Sequence, residues 1–119
     1  MRRALAIDEQ SFGPEHPKVA RDLNNLAHLL RATNRLSKAE PLFWRQVVID
    51  LIFERQNGIP HPDLESDRRA YRQAAEQMGM SSTEIERRLQ AAHSTTGPLE
   101  PIAPHLDELL GPVMADERP

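Results

Sequence analysis

The side chains that could do chemistry are spread along the chain without the spacing that a reaction centre needs. The five histidines lie at positions 16, 28, 61, 93 and 105, and no two are three or four residues apart. A spacing of three or four residues would place two metal ligands on one helix face. The chain has no cysteine, which removes thiolate ligands and disulfides. The sequence therefore predicts no metal site.

The sequence also gives little evidence for a catalytic pair. Ser81 and Ser82 precede a predicted helix in a capping context, and no histidine and acid are placed to activate them. Acidic neighbours such as Glu84 and Glu86 are two residues apart and face different sides of a helix. The five glycines are isolated, so no glycine-rich phosphate loop is present. We predict a protein that is not an enzyme and that has no cofactor.

The amino-acid composition further limits the class of protein that this chain can be. The 119 residues fit a single domain, and with only 4% aromatic residues the core must be built from Leu, Ile, Val and Ala. A net charge of −3 is far from the basic excess of a nucleic-acid binder. No apolar run is long enough to span a membrane. The expected protein is cytoplasmic, with neither nucleic acid nor membrane as its partner.

One stretch of sequence occurs twice. Arg-Ala-Leu-Ala-Ile at 3–7, followed by His-Pro at 16–17, is echoed by Arg-Gln-Val-Val-Ile at 45–49 and His-Pro at 61–62. The offset is 42 residues for the first element and 45 for the second. Repeats of this length are typical of stacked helical pairs, which present a surface rather than a reaction centre.

Apolar periodicity places five helices along these repeats. They are expected over about residues 2–10, 17–33, 37–56, 62–78 and 82–92. In the second helix, Val19, Leu23, Leu26 and Leu30 recur at spacings of four, three and four, which defines one buried face. The β-branched run 47–53 would suit a strand, but it lacks a turn signal upstream, so continuous helix is favoured.

Several polar residues are predicted to end or begin these helices. Asn34 can take the left-handed conformation that ends a helix, and Ser37 is expected to cap the next one. His16 and His61, each before a proline at a helix start, are expected to cap or pack the loop.

Three segments resemble the tetratricopeptide repeat of the kinesin light chain type. They are Gly-Pro-Glu-His-Pro at 13–17, Leu-Asn-Asn-Leu-Ala at 23–27 and Ala-Glu-Pro-Leu at 39–42. The resemblance covers residues 3–56 closely and 57–92 loosely. It implies an all-α fold of antiparallel helix pairs stacked as a short right-handed α-solenoid, with five helices and a disordered tail.

The same resemblance divides the chain. A helical repeat domain is expected over 1–93, with a half unit at 1–12, a unit at 13–56 and a degenerate capping unit at 57–93. Residues 94–119 are predicted to be a proline-rich flexible tail, whose acidity reflects five acidic side chains against one Arg. Its apolar segment 106–110 could dock elsewhere. The whole chain then reads as the C-terminal part of a longer array.

In this family the first helix of each pair lines a concave groove, and an Asn pair resembles the residues that bond the backbone of an extended peptide. Carried onto this sequence, the resemblance predicts a groove formed by Arg21, Asn24, Asn25, His28, Arg31, Arg69 and Gln73. Two alternatives remain open here. The amide of Asn25 could instead brace a neighbouring helix, and His28 could be an ordinary surface imidazole.

The resemblance implies a non-catalytic scaffold that binds a protein or peptide. The alternative is a structural capping or self-association module of a longer array. In that case Leu5 and Ile7 would form an uncovered apolar edge on the first helix, and the chain would pair there as a homodimer.

Overall fold

The structure of the protein is a computed structural model that describes residues 2–95, 99–105 and 108. These residues form five α-helices, one 3-10 helix and no strand. The elements are α1 (Arg2–Phe12), α2 (Pro17–Ala32), α3 (Leu36–Asn57), α4 (Leu64–Gln77), α5 (Ser82–Ser94) and the 3-10 helix Ala103–His105. The predicted all-α class and the five helices are confirmed.

The first His-Pro pair starts α2, and the second lies in the turn before α4. At the beginning of α2, Nδ1 of His16 accepts the backbone N–H of Lys18 at 3.1 Å. In the loop before α4, Nδ1 of His61 accepts the N–H of Asp63 at 3.0 Å. His16 is the N-cap of α2, and its bond satisfies a backbone donor of the first turn. His61 instead stabilises the loop, because the N-cap of α4 is Asp63. The prediction that these histidines cap a helix or pack the loop is confirmed, with capping by His16 and loop stabilisation by His61.

Other helix boundaries differ slightly from the prediction. Asn34 has a φ of 62° and ends the α2–α3 turn in the left-handed conformation, as expected. The prediction that Ser37 caps α3 is wrong, because α3 already begins at Leu36 and its N-cap is Arg35. The fourth helix begins at Leu64 rather than at 62, since the preceding residues form the turn that His61 stabilises.

Helix α3 is the central element of the fold. It packs against α2, α4 and α5, and its run Val47–Ile52 is buried on every side of the helix. A helix covered on all sides can carry consecutive apolar residues, including β-branched ones, because neighbouring helices cover each face. The strand alternative for 47–53 is therefore excluded.

The predicted apolar face of α2 supplies the first half of the core. Val19, Leu23, Leu26 and Leu30 are all fully buried, and Phe43 of α3 lies fully buried in the same cluster. Burial of one such leucine contributes about 1.5–3 kcal/mol relative to exposure. The α2–α3 pair is thus a packed unit, and it forms one wall and the floor of the site described below.

A polar network fixes α4 and α5 against α3. The hydroxyl of Tyr71 donates to Oε2 of Glu40 at 2.7 Å, and Nη2 of Arg88 donates to the same oxygen at 3.1 Å. The indole N–H of Trp44 donates to the carbonyl of Arg88 at 2.7 Å, and the Arg88 guanidinium lies 4.7 Å from the centre of the Trp44 ring. This network sets the position of α4 relative to α3.

Residues 99–105 lie against α1. Glu9 of α1 is 6% exposed, and its carboxylate accepts the backbone N–H groups of Ile102 at 2.8 Å and Ala103 at 2.7 Å. Glu15 accepts the N–H of Leu99 at 2.6 Å. The sequence predicted a flexible chain here, whereas these carboxylates give the backbone of this segment hydrogen-bond partners. Most of the predicted tail, including all of the segment 106–110 except Glu108, lies outside the described residues.

Candidate functional site

A cavity of about 520 Å³ lies between α2 and α4, with α3 as its floor. We call it the α2–α4 cavity. In the predicted repeat units, α2 is the first helix of one pair and α4 is the first helix of the next. The loop before α4 closes one end, where His61 and Asp63 line the cavity. Its lining is rich in charged and amide side chains rather than in aromatic ones.

Five of the seven residues predicted for the groove line this cavity. Those of α2 are Arg21, Asn24 and His28, and those of α4 are Arg69 and Gln73. On α2 they recur at spacings of three and four, which keeps them on one face of the helix beside the buried stripe. The two helices thus present polar side chains toward each other across the cavity.

Arg31 joins the two walls instead of lining the cavity. Its Nε donates to Oε1 of Gln77 at 3.0 Å, and its Nη1 lies 3.5 Å from Oε1 of Gln73. The side chain is half-buried. Arg31 therefore acts as a bridge from the end of α2 to the end of α4, and it fixes the width of the cavity at that end.

The structure does not bring Asn25 to the cavity. Its side chain is exposed and lies outside the lining, whereas the adjacent Asn24 is half-buried and part of it. An exposed Asn25 is also not the buried brace between helices that the alternative required. The ring of His28 is exposed and makes an edge contact with Phe43, with 5.1 Å between the ring centres.

The floor of the cavity holds polar residues that the groove prediction did not include. Gln46 and Asp50 of α3 are 4% and 0% exposed, and Asp67 of α4 is 7% exposed. All three line the cavity. Nδ1 of His61 lies 3.5 Å from Oδ1 of Asp50, but it already accepts the N–H of Asp63 and so has no proton to donate in that state.

Burial dominates the electrostatics of this floor. Loss of solvation, then the hydrogen bond with Asp67 and its charge, raise the pKa of Asp50 to about 9. Burial also raises the pKa of Asp67, although its hydrogen bond with Asp50 acts in the opposite direction. The two carboxyl groups therefore share a proton at neutral pH, as close carboxyl pairs do.

A signal for this floor was present in the sequence. Gln46 and Asp50 are four residues apart, so they lie on one face of α3, and Asp50 interrupts the apolar run 47–53. In the repeated stretch, Gln46 stands where the first copy has Ala4. A polar pair at helical spacing inside an apolar segment indicates a face that meets other polar groups.

The prediction of an uncovered edge at Leu5 is corrected by the structure. Leu5 is fully buried in the main core, because α2 packs against α1 and residues 99–105 also contact that helix. Ile7 is 55% exposed, and Phe12, also on α1, is 45% exposed. Among the described residues, the large apolar side chains that α1 leaves exposed are thus Ile7 and Phe12.

The described residues contain neither a metal-binding cluster nor a helix that could span a membrane. Among the described residues, no group of three His, Asp or Glu side chains is arranged to hold a metal ion. Within the same ranges, no helix has the length and hydropathy that crossing a bilayer requires.

Residues 1–43 match a family model described as tetratricopeptide repeat. Separate comparisons with curated proteins and with solved structures found no match. The matched segment contains α1, α2 and the start of α3, and the five-helix architecture is consistent with the helical fold of this family. The match supports a tetratricopeptide repeat protein, a class that generally mediates interactions between proteins and is generally non-catalytic.

Proposed function

We propose that this chain is a non-catalytic scaffold that binds an extended segment of a partner protein in the α2–α4 cavity. The proposal treats the cavity as the concave groove expected between the first helices of successive repeats. The observation that carries it is the convergence of Arg21, Asn24 and His28 of α2 with Arg69 and Gln73 of α4 on one cavity.

The chemistry of these side chains suits a peptide backbone. An amide such as Asn24 or Gln73 offers both a donor and an acceptor, which matches the N–H and C=O groups of an extended chain. Arg21 and Arg69 are exposed at the rim and add donors for carbonyl or carboxylate oxygens. No covalent step is required of any of these groups.

Substitution of adjacent asparagines tests the proposal. Peptides are first selected from a random 16-residue display library on the immobilised full chain, and the affinity of a selected peptide is measured by titration calorimetry. We expect Asn24→Ala to weaken binding by about 1–3 kcal/mol, the usual cost of leaving a buried hydrogen-bonding group without its partner.

Asn25→Ala is the matched control, because it makes the same change one position further along α2, on an exposed residue outside the cavity. We expect an affinity close to that of the unchanged chain. A selection that enriches no peptide, or equal effects of the two substitutions, would contradict binding in this cavity.

The subtype and the alternative also remain proposals. The segments at 13–17, 23–27 and 39–42 support the kinesin light chain type, and a cytoplasmic location stays a prediction. Self-association through α1 is supported by the exposure of Ile7 and Phe12, not by Leu5. Sedimentation equilibrium over a range of concentrations tests that alternative.

A further inference from the structure

We propose that the floor of the α2–α4 cavity is a subsite for a cationic side chain, Lys or Arg, of the bound protein segment. This inference rests on the function proposed above and specifies the chemistry of the partner. The subsite consists of Asp50 and Asp67, with Gln46 beside them.

The placement of the two carboxyl groups supports this subsite. Asp50 projects from α3 and Asp67 from α4, so the pair joins the floor to one wall of the cavity. Both line the cavity, and both are more than nine-tenths buried. Two carboxyl groups on facing helices can together hold one ammonium or guanidinium group.

A buried oxygen that does not belong to the acid pair also lacks a donor. Within the described residues, Oε1 of Gln46 accepts no hydrogen bond, whereas the Asp50 carboxyl has the carboxyl of Asp67 as its partner. A buried acceptor without a donor costs about 1–3 kcal/mol. Once a cation displaces the proton that the carboxyl groups share, Asp50, Asp67 and Oε1 of Gln46 all need donors, and all three residues line the same cavity. A Lys ammonium offers three donors, and an Arg guanidinium offers five.

The distribution of charge around the cavity also supports a cationic occupant. The cationic residues of the lining, Lys18, Arg21 and Arg69, are all exposed at the rim. Exposed charges are screened by water and contribute little, whereas a buried carboxylate interacts strongly with a cation that reaches it. The floor therefore decides which charge is favoured inside the cavity, and its acids favour a cation.

Occupation of the subsite has a defined proton balance. In the free protein Asp50 retains a proton at neutral pH, and Asp67 shares it. A cationic side chain replaces that proton, which passes to the solvent. The groups that face Asp50 are Asp67 from α4, Asp63 at the start of α4 and His61 from the loop. The rim adds Lys18, Arg21 and His28 from α2 and Arg69 from α4. Binding of a basic peptide should therefore become tighter as the pH rises from 6 to 8.

The test uses the random 16-residue peptide library selected on the full chain. We expect enriched peptides to share a Lys or Arg at one position. Replacing that residue by neutral norleucine or citrulline should lower the affinity about tenfold or more, the range of a buried charge-assisted hydrogen bond. Calorimetry in two buffers of different ionisation enthalpy should record about one proton released per peptide bound.

The variant for this test is Asp50→Asn with Asp67→Asn, and Glu76→Gln is the control. Asn has the shape of the neutral acid, so circular dichroism should show unchanged helicity. Glu76 is an exposed acid of α4 outside the cavity. The double variant should bind the basic and the neutral peptide equally, while the control should keep the preference for the basic one.

The outcomes separate the two proposals. Enriched peptides without a shared basic position, or a preference that the double variant retains, would overturn the subsite and leave peptide binding intact. A selection that yields no peptide would overturn both. Because the peptide replacement and the proton count use the unchanged chain, the subsite can be refuted even if the double variant does not fold.

Discussion

At the scale of single residues, burial of the Asp50 carboxyl group makes the stability of the fold depend on pH. Its pKa is about 9 in the folded protein, against an ordinary value of 3.8 in an unfolded chain. The folded state therefore holds a proton that the unfolded state has released. Stability contributed by the protonated carboxyl is present at low pH and is lost progressively as the pH rises from about 4 toward 9.

This loss of stability with rising pH predicts the effect of Asp50→Asn. The variant cannot ionise, so it should be more stable than the unchanged protein at pH 8, by at least about 1 kcal/mol. Near pH 4 the difference should nearly vanish. Urea denaturation followed by circular dichroism at both pH values measures it, with Glu76→Gln as the exposed control. A variant less stable than the unchanged protein at pH 8 would contradict the buried pair.

Part of the site could be predicted from residue types and spacing alone. Arg21, Asn24 and His28 follow from the periodicity of α2 together with the family pattern. Asn24 and Asn25 could not be separated, because the side of α2 that faces a cavity depends on where α4 packs. The acidic floor needs the same information, since Asp50 and Asp67 are 17 residues apart in the chain and meet only after α3 and α4 pack.

At the scale of elements, the helices could be predicted because their signals are local. Apolar spacing gives α2, and the His-Pro pairs and Asn34 set the turns. The start of α3 at Leu36 was missed, since Ser37 is a good cap by residue type although the turn after Asn34 leads directly into the helix. The position of residues 99–105 was also missed, because their partners Glu9 and Glu15 are distant in sequence.

The contact of residues 99–105 with α1 leads to a prediction about Glu9. Glu9→Gln removes the charge that accepts two backbone N–H groups, so the amides of Ile102 and Ala103 should exchange with solvent faster, by roughly 5-fold or more. Hydrogen exchange measured by NMR follows each amide separately. The content of helix should not change.

Glu15→Gln is the matched variant for this prediction, because Glu15 accepts the N–H of Leu99 rather than those of Ile102 and Ala103. It should accelerate exchange at Leu99 and leave Ile102 and Ala103 nearly unchanged. Uniform exchange rates in both variants would mean that the two carboxylates do not hold this segment.

At the scale of the whole molecule, α3 is the element from which the fold and the cavity are both built. It packs with α2 into one pair, and through Glu40 and Trp44 it fixes α4 and α5. Those contacts place α4 opposite α2 and so create the cavity. Stacked helical repeats in general bury their cores between neighbouring units and leave an extended surface for partners, which is the role proposed for the α2–α4 cavity.

The overall class could be predicted because the repeat pattern specifies both the helices and their order of packing. The residues that line the cavity could not all be predicted, since the lining depends on which side chains remain unpaired after packing. Leu5 illustrates the difference. Its sequence context suggested an exposed edge, but α2 and the core bury it fully.

The most direct test of the account maps peptide binding onto the molecule. The amide spectrum of the 119-residue chain is recorded by two-dimensional NMR during titration with a peptide selected from the library. The account predicts the largest shifts on the facing sides of α2 and α4, around Asn24, His28, Arg69 and Gln73. Shifts confined to α1 and α5 would contradict the central claim that this cavity is the binding site.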